Sequence, residues 1–197
     1  PNALLAADYR VITLDQRNAG QSWAPISAEN GWHSYAEDHI ALLDHLDAAR
    51  CHVVGMCIGG AYALRLAVQH PDRVASAVLI QPIGLSANRQ VFSDLFQSWR
   101  EESLTRHPEA QAHDFDSFFN NMFGGDFAFS VTEAEVSRLA VPLLVLLGDD
   151  QYHPAAISRR IAEVAPRARL IEDWKQEPAR SGARQEIQNF LREHTPR

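Results

Sequence analysis

The chain has 197 residues, 46% hydrophobic and 22% charged, with a net charge of −7 at pH 7, a balance that suits one globular domain around a single buried core. Basic residues form no patch, which argues against nucleic acid or an acidic membrane surface as a partner. No apolar run approaches the ~18 residues of a membrane span, and the start PNALLAADYR has no charged region leading into an apolar one, so neither a span nor a secretory leader is expected.

In chain order, the first strand-like run is Arg10–Leu14 (RVITL). The stretch SYAEDHIALLDHLDAA follows with helical spacing, placing Tyr35, His39, Leu42, Leu43 and Leu46 on one face behind Ser34 as a candidate N-cap. Cys51–Val54 reads as a second strand and leads into GAYALRLAVQH, a helix stopped by Pro71. Ala75–Ile80 (ASAVLI), Leu143–Leu147 (LLVLL) and Arg169–Ile171 complete five runs, each apolar without polar alternation, as expected of strands covered on both faces. PAAISRRIAEVA and ARQEIQNFLREH read as helices around the last of them. Strands alternating with helices predict a parallel α/β sheet with right-handed crossovers.

One block breaks this rhythm. From Leu85 to Ala140 no strand-like run occurs, yet eight of the nine phenylalanines lie there, at spacings of three and four that predict short amphipathic helices. The predicted organisation is therefore a core in two parts, 1–84 and 141–197, with a helical insertion at 85–140.

The two cysteines, Cys51 and Cys57, are six residues apart. Along a strand that spacing separates their Cα atoms by about 20 Å, whereas a disulfide needs less than ~7 Å. They are expected to be free thiols in a reducing, cytoplasmic setting.

The corner GMCIGG (55–60) carries the chemistry. Gly55 and Gly59 flank Cys57 at the spacing of a nucleophile elbow, a tight strand-to-helix turn that only small neighbours allow to close. The following helix aims its positive end at the thiol, and the backbone N–H of Ile58 can face a developing oxyanion. The bland alternative is a buried free cysteine on a Gly-rich turn.

With YRVITLDQRNAGQS before this corner and VPLLVLLGDDQYHPAAISRRIAEVAP after it, the chain resembles the α/β-hydrolase fold family. Asn18 stands where that family's loop usually has glycine, a natural exchange where φ is positive. The resemblance implies a mostly parallel sheet with helices on both faces and a small helical cap. It also implies that the strand beside the nucleophile strand comes from sequence before Tyr9, so the sheet is expected to lack its N-terminal strands and to leave unpaired edges at the gap.

By the same match, Asp150 is the triad acid, although aspartates in a Gly-Asp-Asp turn also serve simply as turn formers. The family's base histidine belongs in the loop after the last strand, ARLIEDWKQEPARSG, which contains none; Trp174-Lys175 stand where Gly-His is usual. Only His153 and His194 follow the acid. His194, in the C-terminal tail, is expected to be solvated; His153 is either the base or a histidine at a helix start.

The elbow resembles that of dienelactone hydrolases, which use a Cys-His-Asp triad on this fold. Hydrolysis of an ester, lactone or thioester through a thioester on Cys57 is the implied reaction, with Asp150 and His153 as catalytic partners and Ile58 as oxyanion donor. Phe118, Phe119 and Met122 are candidate contacts for an apolar acyl group, or glue between insertion helices and body. The same corner is similar to that of polyhydroxyalkanoate synthases, which leaves an acyltransferase open, and the missing histidine leaves a non-catalytic binder open. No cofactor, metal, nucleic acid or membrane is expected; the oligomeric state is left open.

Overall fold

The computed structural model describes residues 5–196. At its centre is an all-parallel sheet in the order β1 (Cys51–Met56), β2 (Val74–Ile80), β3 (Leu143–Leu146), β4 (Ala168–Ile171). Helix α1 (Trp32–His45) precedes β1, α2 (Ile58–Gln69) joins β1 to β2, and three helices separate β2 from β3: α3 (Arg89–Ser103), α4 (Ala112–Phe123) and the short α5 (Glu133–Val136). Helix α6 (Ala155–Val164) joins β3 to β4, and α7 (Ala179–His194) closes the order. No helix among the described residues is long and apolar enough to cross a membrane.

The lack of polar alternation in the strands is explained by what covers them. Ala77, Leu79, Leu143 and Val145 pack on one face among Ala36, Leu64, Leu66, Ile157 and Ile161 from α1, α2 and α6. Their alternates Val78, Ile80, Leu144 and Leu146 pack on the other face against Ala183, Ile187, Phe190 and Leu191 of α7. Side chains alternate along a strand, so only a sheet sandwiched between helices needs both sets apolar. Each large aliphatic side chain buried there contributes about 1.5–3 kcal/mol. A third, mostly aromatic cluster joins the helical insertion to the body: Phe92, Phe96, Phe115, Phe118, Phe123 and Phe129 are buried with Trp32, Tyr35 and Ala61 of α1 and α2.

Three expectations change. Arg10–Leu14 is not a strand: it has no regular structure and joins no ladder. A run of β-branched residues becomes a strand only beside another edge about 4.8 Å away, and here a cavity of about 540 Å³, lined by Val11–Leu14 and by Cys51–Met56, lies between the two. Among the described residues β1 pairs with β2 alone, so its outer edge is open. Helix α1 starts earlier than Ser34, with Gly31 as N-cap, because Trp32 is buried and its indole N–H donates to the Met122 carbonyl at 2.7 Å. Ser34 instead sits in the first turn and accepts from the Gly31 N–H. His194 is not in a solvated tail: it ends α7, half-buried, with its ring edge-on to Phe190 at 4.7 Å.

Candidate active site

Cys57 lies between the last residue of β1 and the first of α2, with φ 58° and ψ −123°. A non-glycine residue in this region is strained and persists only when its surroundings fix it. The Cys57 N–H donates to the Ile80 carbonyl at 3.0 Å, and its own carbonyl accepts from Gly60 N–H at 3.0 Å. These bonds tie the corner to the end of β2 and to the start of the helix.

The glycines divide the steric work differently from the expectation. A Cβ on Gly55 would lie 2.0 Å from the Gly59 carbonyl oxygen, so the turn closes only with glycine there. Gly59 itself has open space where a Cβ would point. The other tight position is Gly60, where a Cβ would come within 2.9 Å of the Pro82 ring. Spacing alone could not separate Gly59 from Gly60, because the obstacle at Gly60 comes from the loop after β2.

The thiol's electrostatics also depart from the expectation of a favoured thiolate. Burial pushes the Cys57 thiol up from its ordinary value; the Ile58 N–H opposes this, and the nearby Asp150 carboxylate adds to it. The helix end acts through that N–H, but removal from water outweighs it. The resting group is therefore a thiol, and attack requires somewhere for its proton to go. Cys51, at the start of β1, is also pushed up by burial, with Arg73 opposing. Both cysteines are free and half-buried. Iodoacetamide is expected to modify Cys57 faster than Cys51 near neutral pH, followed by peptide mapping; a faster Cys51 would remove the corner's claim to activate its thiol.

Asp150 and His153 follow β3 and form a pair. The ring Nδ1 of His153 lies 2.8 Å from both carboxylate oxygens. The N–H groups of Tyr152 and His153 donate to Oδ1 at 2.9 and 3.0 Å. Burial works to raise the Asp150 pKa, but the His153 ring and these two N–H groups together hold it below the usual carboxylate value. His153 is not a surface residue: it is 7% exposed, and its Nε2 is buried and has no hydrogen-bond partner among the described residues. The loop folds back tightly enough that a Cβ on Gly148 would meet the His153 carbonyl oxygen at 2.3 Å. Gly148 N–H donates to the buried Ser158 hydroxyl of α6 at 3.1 Å, pinning the loop from below.

The loop after β4 holds the same segment from its other side. The Trp174 indole N–H donates to the Leu147 carbonyl at 2.8 Å, and Lys175 forms an ion pair with Asp149. The residues standing in the family's Gly-His position thus brace the acid loop. The predicted loop Asp15–Ser22 is equally specific in shape: Asn18 has φ 62° and its side-chain oxygen accepts from Ala24 N–H at 2.8 Å.

The residues picked as acyl contacts are distributed unevenly. Phe118 and Met122 are buried within the aromatic cluster and Phe119 is half-buried against it. Cys57, Ile58, Tyr62 and Tyr152 pack against that same cluster, so the nucleophile corner, the acid loop and the helical insertion meet at one place. Asn88, which no motif singles out, reaches the acid loop: its amide donates to the Gln151 carbonyl, 63 positions away, at 2.7 Å. Among the described residues no group of His, Cys, Asp and Glu could hold a metal ion.

Comparison with known proteins agrees with this architecture. The profile of the alpha/beta hydrolase fold family matches residues 1–188. A relative from Pseudomonas syringae that carries the name carbamate hydrolase RutD is 29% identical over 198 residues, covering 85% of this chain and 76% of that protein. A relative of the same name from Variovorax paradoxus is 45% identical over 78 residues, only 40% of this chain and 29% of that protein. Among solved structures, the enol-lactonase from Burkholderia xenovorans superposes with a TM-score of 0.66 at 24% identity, over 96% of this chain and 84% of that one. With the elbow backbone, the parallel sheet and this match in hand, the chain belongs to the α/β-hydrolase fold family.

Proposed function

We propose that this protein hydrolyses a carboxylic ester, lactone or thioester through an acyl-thioester on Cys57. The observation that carries the reading is the Asp150–His153 pair, with Nδ1 committed to the carboxylate and Nε2 buried without a partner among the described residues, in a loop whose Asp150 charge acts on the Cys57 thiol. A carboxylate that fixes one ring nitrogen sets the tautomer, so the other nitrogen is free to accept a proton.

In the proposed cycle Cys57 Sγ attacks the carbonyl carbon and its proton passes to His153 Nε2. The oxyanion is stabilised by the Ile58 N–H, and collapse expels the alcohol or thiol, which takes the proton from Nε2. Water then attacks the thioester, Nε2 takes its proton, and the carboxylic acid leaves with Cys57 restored as a thiol. Nε2 has no hydrogen-bond partner among the described residues, and catalytic bonds of this kind commonly tighten only once substrate is bound. Phe119, the half-buried member of the three candidate contacts, keeps exposed ring surface with which to touch an apolar acyl group. The enol-lactonase likeness and the relatives named for carbamate hydrolysis are compatible with cleavage at an acyl carbon.

Exposure to an activated ester is expected to leave an acyl mass increment on Cys57 that decays in water. Cys57→Ser should turn over the same ester about tenfold more slowly or worse, since a hydroxyl depends on a fully aligned base. No increment on any residue would point to a binder, and acyl transfer to an added alcohol with little hydrolysis would point to an acyltransferase.

A further inference from the structure

We infer that Asn88 is a positioning residue that ties the acid–base pair to the helical insertion; this rests on the reading of His153 as the base. Asn88 sits immediately before α3, is 8% exposed, and has every polar group of its side chain engaged. Its Oδ1 accepts from Ser86 N–H at 2.8 Å, while Nδ2 donates to the carbonyls of Gly84 at 3.2 Å and Gln151 at 2.7 Å. The Ser86 donor fixes which end of the amide faces which way, because only an oxygen can accept there.

What makes the Gln151 contact more than packing is the peptide unit it grips. The carbonyl of Gln151 and the N–H of Tyr152 belong to one planar group, so holding one end aims the other. That Tyr152 N–H donates to Asp150 Oδ1 at 2.9 Å, and Asp150 in turn holds His153 Nδ1 at 2.8 Å. A continuous chain of hydrogen bonds therefore runs from Asn88 through the 151–152 peptide and the carboxylate to the imidazole. The insertion adds an apolar contact alongside it, with the Phe92 ring of α3 edge-on to Tyr152 at 6.2 Å. Rotation of the 151–152 peptide would withdraw one donor from Asp150 and loosen the ring that the carboxylate orients. A shift of the insertion is thereby transmitted to the base.

The test is the pH profile of Cys57 alkylation by iodoacetamide in the parent, Asn88→Ala, Asn88→Asp and His153→Ala proteins. Near about pH 7 the thiol needs the imidazole to take its proton, whereas above about pH 10 hydroxide does this. Asn88→Ala is expected to slow alkylation about tenfold near neutrality, part of the 10²–10⁴-fold that a placed base contributes, and to match the parent in alkali. Asn88→Asp keeps the side-chain volume and the acceptor for Ser86 but cannot donate to Gln151, so it should show the same loss with an unchanged far-UV circular dichroism spectrum. A purely structural role would shift the rate at every pH. A neutral-pH loss in His153→Ala with none in either Asn88 variant overturns the positioning role alone. No loss in His153→Ala overturns the base assignment itself, and the Asn88 role with it.

Discussion

Replacing His153 with alanine is expected to lower kcat/KM on an activated ester by about 10²–10⁴-fold, the contribution of a positioned general base. The expectation follows from the thiol itself: burial, aided by the Asp150 charge and opposed by the Ile58 N–H, keeps Cys57 protonated, so nucleophilic attack and proton removal are coupled. It also makes a second, substrate-free forecast. The hydrogen bonds from the ring and loop hold the Asp150 pKa low against burial. A depressed carboxylate pKa contributes stability above the ordinary carboxylate value, about 3.9, and this contribution is lost as pH falls through the lowered value. With the ring donor gone, Asp150 should titrate closer to its ordinary value, and the acid-side decline in melting temperature should become shallower. Activity within threefold of the parent would show that another group receives the proton.

Gly55→Ala is expected to cost about 3 kcal/mol or more and to lower the melting temperature by roughly 6–12 °C. All three atoms the new Cβ would meet are backbone, at 2.0, 2.3 and 2.8 Å, and none is the far end of a flexible chain. Relief would require unwinding the first turn of α2, so acylation of Cys57 should be lost along with stability. Gly59→Ala is the internal control. It meets nothing within 4 Å, and alanine in a helix is favoured over glycine by about 1 kcal/mol. Equal melting temperatures for the two variants would mean that the corner is not the tight turn described above.

The parallel sheet was legible because the strands are apolar without polar alternation, most fully in β2 and β3, a pattern that cover on both faces explains; the adjacent residues Val78 and Leu79 belong to opposite clusters, with α7 and with α2. The positive φ at Asn18 was legible too, since asparagine tolerates it best after glycine. Features that depend on distant chain were not. Arg10–Leu14 has strand composition but joins no ladder among the described residues. The steric demand at Gly60 comes from Pro82. The upward push on Cys57 comes from tertiary burial, and the grip of Asn88 on Gln151 spans 63 positions. The histidine position was marked by an absence in the loop after β4, and the residues found there, Trp174 and Lys175, turn inward to the acid loop.

The place of β3 in the sheet bears on how firmly the acid–base pair is held. Among the described residues β3, which launches Asp150 and His153, is flanked by β2 and β4. A strand paired on both sides opens only together with its neighbours, so the loop carrying the pair rests on a part of the sheet that resists local opening.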